Sequence, residues 1–190
     1  MLAAVLLSLA AVAFQPVTAA TTAQPPQVFV HDASAQAQPG EGGHDWGLRP
    51  PTDNDAGTAP LLNAHGDPLH AVLGVWRTAD GTATFEPGPA GTTVVHATFH
   101  HLLANGHYSL FVRQLAGRTG PVLTPLDLTG AANSFTADPQ GFAELRVSSP
   151  LQMPSGSQLV LVYHSDGIDH QSSIGVLGVN AHPQLITRVP

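Results

Sequence analysis

Nineteen glycines and seventeen prolines punctuate this 190-residue chain. Between them, apolar and polar residues alternate with the period of a strand rather than that of a helix. Turn residues at this density favour short strands over long helices. Thr82-Ala83-Thr84-Phe85 places Ala83 and Phe85 on one face and the threonines on the other, and Asp80-Gly81 before it reads as a hairpin turn. From Thr92 to Leu103, Val95, Ala97 and Phe99 share one face, while Val94, His96, Thr98 and His100 share the other. Asn105-Gly106 turns the chain into Tyr108–Val112, and Asp138-Pro139-Gln140-Gly141 turns it into a strand with Ala143, Leu145 and Val147 inward. Leu159–Tyr163 is apolar on both faces, as a covered central strand must be. The last strand runs near Gln184–Val189. No segment of the mature chain holds ten residues of helical periodicity. Eight or nine strands after Leu69 predict an all-β fold, a Greek-key β-sandwich, with a barrel as the alternative.

The organisation ahead of those strands is different. Met1 to Phe14 is almost wholly apolar, too short for an ordinary span of about 20 residues, and Val17-Thr18-Ala19 offers small residues for cleavage. Residues 1–20 therefore read as a signal peptide, with an uncleaved anchor as the alternative. The expected location is secreted or periplasmic, with no integral membrane domain after cleavage. Residues 21–67 are rich in Pro, Gly, Ala, Gln and Asp with neither period, which predicts a disordered linker. Val28-Phe29-Val30 is a candidate short ordered piece, and Trp46 a candidate for docking back. Residues 68–190 form the expected sandwich domain.

Charge narrows the partners. Charged residues are 10% of the chain, all the cations are arginine, and the net charge is −7. Nothing here attracts a phosphate backbone, so nucleic acid is not an expected partner. Cysteine is absent, which excludes disulfides and thiolate metal sites. Histidine is in excess at eleven residues, enough to turn the net charge positive if all were protonated.

Most hydrolytic templates fail. There is no Gly-x-Ser-x-Gly elbow and no His-Glu-x-x-His. Three glutamates, Glu41, Glu86 and Glu144, are too scattered to suggest a paired-carboxylate site. One constellation remains, His164-Ser165-Asp166-Gly167-Ile168-Asp169-His170, which leaves the central strand and continues through a long loop to His182. Long loops of this kind are often functional. Imidazoles with a carboxylate suit zinc or copper, so His164, His170 and His182 are the expected ligands, with Asp169 as a fourth ligand or a supporting partner. The competing expectation is a self-capping loop whose carboxylates bond backbone amides. His96 and His100, four residues apart on one strand face, lie roughly 13 Å apart and cannot share an ion. His100 and His101 point to opposite faces, each free to join a site made by other strands, and His65 and His70 read singly as surface residues.

Gly81-Thr82-Ala83-Thr84-Phe85 and Leu102-Leu103-Ala104-Asn105-Gly106 carry a partial resemblance. The run from Thr82 to Val112 resembles the opening of a copper/zinc superoxide dismutase-type sandwich and of chordin-type (CHRD) domains. The resemblance implies a β-sandwich. Where the dismutases carry a His-x-His pair, this chain has Phe111-Val112-Arg113, and their structural cysteines are missing. It therefore argues against dismutase activity and transfers no ligand.

Two functions from different classes follow. One is a secreted sandwich that binds zinc or copper through the histidine loop. The other is a non-enzymatic extracellular module with a protein or glycan partner. Acid sensing by the histidines as a set is a third.

Overall fold

The computed structural model describes residues 27–32, 47–114, 122–151 and 153–190, and the backbone of Val17–Thr18. Trp46 and most of residues 1–26 lie outside these. The protein is all-β, built from antiparallel pairs. In chain order the strands are β1 (Val17–Thr18), β2 (Val30–His31), β3 (Leu48–Arg49), β4 (Pro60–Leu62), β5 (Pro68–Val72), β6 (Asp80–Pro87), β7 (Thr93–His100), β8 (His107–Gln114), β9 (Val122–Pro125), β10 (Ser134–Thr136), β11 (Ala143–Ser149), β12 (Gln158–His164) and β13 (Ala181–Arg188). Nine of them start at or after Pro68, in line with the eight or nine expected.

Sheet A has the order β1-β6-β7-β11, and sheet B the order β10-β8-β12-β13 with β9 also on β8. Period-two patterning explains how they pack. Ala83, Phe85, Val95, Ala97, Phe99, Ala143 and Val147 from sheet A are buried against Tyr108, Leu110, Val112, Leu159, Leu161 and Leu185 from sheet B. The opposite face of sheet A carries exposed Thr82, Glu86, His100, Glu144 and Arg146. Strand β12 lies between β8 and β13, and its second face buries Val160 and Val162 with Phe111, Ala181 and Ile186. Ile174, from the loop that follows β12, packs on this outer cluster. The loop is thus the cover that makes both faces of β12 apolar.

Two expectations need correction. The stretch expected to be linker carries structure within residues 27–32 and 47–67. Strands β2 and β3 pair, β4 pairs with β5, and Val28, Val30 and Leu61 form a second core with Leu69 and Leu73. Arg49 clamps this layer by bonding both Asp32 and Asp55. Its scattered apolar residues bury jointly with residues beyond Pro68, which no local period reveals. Second, Asp80-Gly81 is not a turn but the start of β6, and a short helix, α1 (Leu73–Thr78), precedes it. Gly81 is needed for packing: a Cβ there would lie 2.6 Å from the Phe99 ring. At the edge of sheet A, Val17 and Thr18 of β1 pair with Ala83 and Thr82.

The Asp138–Gly141 turn forms as expected. Asp138 Oδ1 accepts from the amides of Gln140 and Phe142, and Gly141 has φ +75°.

Candidate functional site

Cross-strand register decides which histidines can meet. Residues directly opposite one another in a ladder share a face of the sheet. At one end of sheet B, His107, His164 and Ala181 stand in one row, and Tyr108, Tyr163 and His182 in the next. The first row faces outward, beneath the 165–180 loop. The second faces inward, toward the main core. His164 and His182, expected as joint ligands, therefore lie on opposite faces of the sheet. The expected set of His164, His170, His182 and Asp169 is not brought together. An even–odd difference across a paired register is enough to separate two histidines whose positions flank the same loop.

His182 has its own partners. It is fully buried, its Nδ1 lies 2.6 Å from the Gln27 carbonyl oxygen, and its Nε2 lies 3.0 Å from Ser165 Oγ. The carbonyl only accepts, so Nδ1 carries the proton and Nε2 accepts from the serine hydroxyl. Burial pushes its pKa down. Both nitrogens are occupied in tying the start of the loop and residue 27 to β13.

The outward row gathers a different set. The His107 and His164 rings are 6.2 Å apart, centroid to centroid, and the His164 and His170 rings 5.2 Å apart. His164 is 1% exposed. Its Nε2 is 2.9 Å from Ser109 Oγ, and its Nδ1 is buried with no hydrogen-bond partner. His107 repeats the pattern: Nδ1 is 3.3 Å from Thr136 Oγ1, and Nε2 is buried and unpartnered. His170 Nε2 lies 2.9 Å from Asp166 Oδ2, which also accepts from Asn180 Nδ2 at 2.8 Å. Burial pushes the His164 pKa down to about 4, and its imidazole neighbours His170 and His107 push the same way. Burial works to raise the Asp166 pKa, but hydrogen bonds from the Ile168 amide, Asn180 and His170 outweigh it, and the net shift is downward.

The loop is held as the self-capping expectation described. Asp166 accepts from the Ile168 amide, Asp169 from the Gln171 amide, and Asn180 Oδ1 from the Val176 amide. Asp169 Oδ1 also accepts from Ser134 Oγ of β10 at 2.9 Å. Gly130 lets a neighbouring turn approach: it has φ +80°, and a Cβ there would lie 2.0 Å from the Gln171 carbonyl carbon.

His107, Ser109 and Ser134 were missed from sequence. Period-two parity already places His107 and Ser109 on the face of Phe111. That this face turns toward the histidine loop depends on the pairing of β8 with β12, to which the local pattern is blind. Two further histidines bond elsewhere: His96 Nε2 accepts from Arg146, and His101 meets Asp80.

Among the described residues, no three His, Asp or Glu side chains already stand arranged around a metal position. Also among them, no helix is long and apolar enough to cross a membrane. Comparisons with protein-family models, curated proteins and solved structures found no match.

Proposed function

We propose that this domain binds one transition-metal ion, zinc or copper, through His164 and His170 with His107 as the third donor, on the outer face of sheet B. One observation carries the reading. His164 and His107 each have one ring nitrogen tied to a hydroxyl and the other buried without a partner. Buried polar atoms are nearly always paired, so two orphaned ring nitrogens on adjacent rings call for an occupant. Ligating histidines typically anchor the non-ligating nitrogen in this way.

The spacing supports it. Two imidazoles on one tetrahedral ion place their centroids roughly 5 Å apart, given a metal–nitrogen distance of about 2.0–2.1 Å. His164 and His170 are 5.2 Å apart. Completing the set requires ring rotation toward a common point. His170, partly exposed on the loop, is the ligand that turns, while strands fix the other two. Neutral imidazoles without thiolate suit zinc and copper(II).

Calorimetric titration of the metal-stripped protein with Zn²⁺ and with Cu²⁺ tests the site. One equivalent should bind, and His170→Ala should weaken binding at least tenfold without unfolding the domain. No stoichiometric binding, or equal binding by His170→Ala, overturns the reading.

A second reading, a non-enzymatic extracellular module, is favoured by one feature of the same loop. Ile168, Val176 and Leu177 are 57%, 60% and 46% exposed. Apolar side chains held out by a fixed loop suit a protein partner better than glycan hydroxyls. The titration separates the two, since a wild type that binds neither metal leaves the module. Export belongs to both readings and rests on the apolar Met1–Phe14 run. N-terminal sequencing of the exported protein tests it, with a start near residue 20 expected.

A further inference from the structure

A continuous hydrogen-bonded chain links the buried His164 to a carboxylate on the loop above it. His164 Nε2 is 2.9 Å from Ser109 Oγ, Ser109 Oγ is 2.9 Å from Ser134 Oγ, and Ser134 Oγ is 2.9 Å from Asp169 Oδ1. The four residues come from β12, β8, β10 and the loop, so only the folded chain assembles them.

Proton counting fixes the direction of every link. A carboxylate oxygen only accepts, so Ser134 spends its single hydroxyl proton on Asp169. Of the other acceptors in reach, Asn133 Oδ1 is farther away at 3.4 Å, and Ser109 Oγ at 2.9 Å carries a proton of its own and can donate instead. Ser109 must then donate to Ser134, which spends its own proton. Nothing remains for Ser109 to give His164, so the imidazole donates from Nε2. The tautomer with hydrogen on Nε2 leaves the lone pair on Nδ1, the buried nitrogen without a partner. Asp169 is itself held by the Gln171 amide at 2.8 Å. The same logic reaches His170 in one step, because Asp166 Oδ2 accepts from its Nε2.

We infer that Asp169 is a positioning residue which, through Ser134 and Ser109, locks His164 in the tautomer that presents Nδ1 to a metal ion. The inference rests on the metal reading for its purpose, but the locked tautomer exists in the metal-free protein. A neutral histidine in water divides between two tautomers; the relay commits this one before any ion arrives. Asp169 thus acts on the ion through three side chains, touching it nowhere.

Imidazole ¹⁵N NMR of the metal-free protein tests the inference directly. His164 should show a protonated Nε2 and an unprotonated Nδ1 in the wild type. Asp169→Asn supplies an amide that can donate to Ser134 and reverse the chain, so the Nδ1–H form should rise. Ser134→Ala should break the lock, and Ser134→Thr, which keeps the hydroxyl, should restore it. Metal affinity should fall by about 10- to 100-fold in Asp169→Asn and Ser134→Ala, and recover in Ser134→Thr. A wild-type His164 protonated on Nδ1, or a tautomer unmoved by both Asp169→Asn and Ser134→Ala, overturns the inference even if metal binds. Failure of the wild type to bind zinc or copper, with the tautomer as stated, overturns the metal reading and the positioning role with it, leaving only the lock.

Discussion

At the scale of single residues, the protein keeps two histidines neutral for different reasons. His182 is a structural tie whose nitrogens hold a carbonyl and a hydroxyl. His164 is a presented lone pair, buried with nothing to accept. Both have pKa values lowered by burial, which fixes a sign for acid stability. The folded state prefers neutral imidazole, whereas the unfolded chain protonates it near pH 6.5. Stability from these residues is therefore complete above pH 6.5 and is lost as the pH falls toward about 4, the value for His164. His164 alone accounts for about 3 kcal/mol over that window. Urea denaturation of metal-free protein at pH 7 and pH 4.5 should show the loss; equal midpoints would contradict it. Sequence alone gave notice of histidine excess but not of these separate roles, because which face a histidine occupies depends on strand register.

At the scale of elements, the site exists because a loop is pinned over a sheet. Ile174 seals the outer cluster, Asp166 and Asn180 close the loop on itself, and Gly130 brings the 126–132 turn against Gln171. Gly130→Ala adds a Cβ both to a left-handed backbone and into the Gln171 backbone. It should destabilise by about 1–3 kcal/mol. Hydrogen exchange should then rise in residues 165–180 more than in β7 or β11, and uniform protection would contradict that expectation. The strands themselves were largely legible. Alternation located Thr82–Phe85, Thr92–Leu103 and Ala143–Val147, and the doubly apolar Leu159–Tyr163 announced a covered strand. The packing that continues across residue 68 was not legible. Val28, Val30 and Leu61 bury against Leu69 and Leu73, and a core shared across forty residues leaves no local period. Likewise, His164 and His170 were recognised from the loop, while His107 was not, because strand pairing brings it there.

At the scale of the molecule, two sheets share one core, with a smaller layer from residues 27–32 and 47–73 beside it. Stability should therefore track the shared core and not the solvated face of sheet A. Leu161→Ala, at a position 1% exposed, should cost about 2–5 kcal/mol in chemical denaturation, whereas Glu144→Ala on the exposed face should stay within about 0.5 kcal/mol. Comparable effects from the two would contradict a two-sheet core. The same layering leaves one sheet face beneath a loop, and there the fold collects its imidazoles.

The most direct test of that collection is a crystal of the protein grown with zinc, measured at the zinc absorption edge. One anomalous peak should lie within about 2.0–2.1 Å of His164 Nδ1, with the His170 ring turned toward it. A peak confined to His96 or His100 on sheet A, or none at all, would contradict the account.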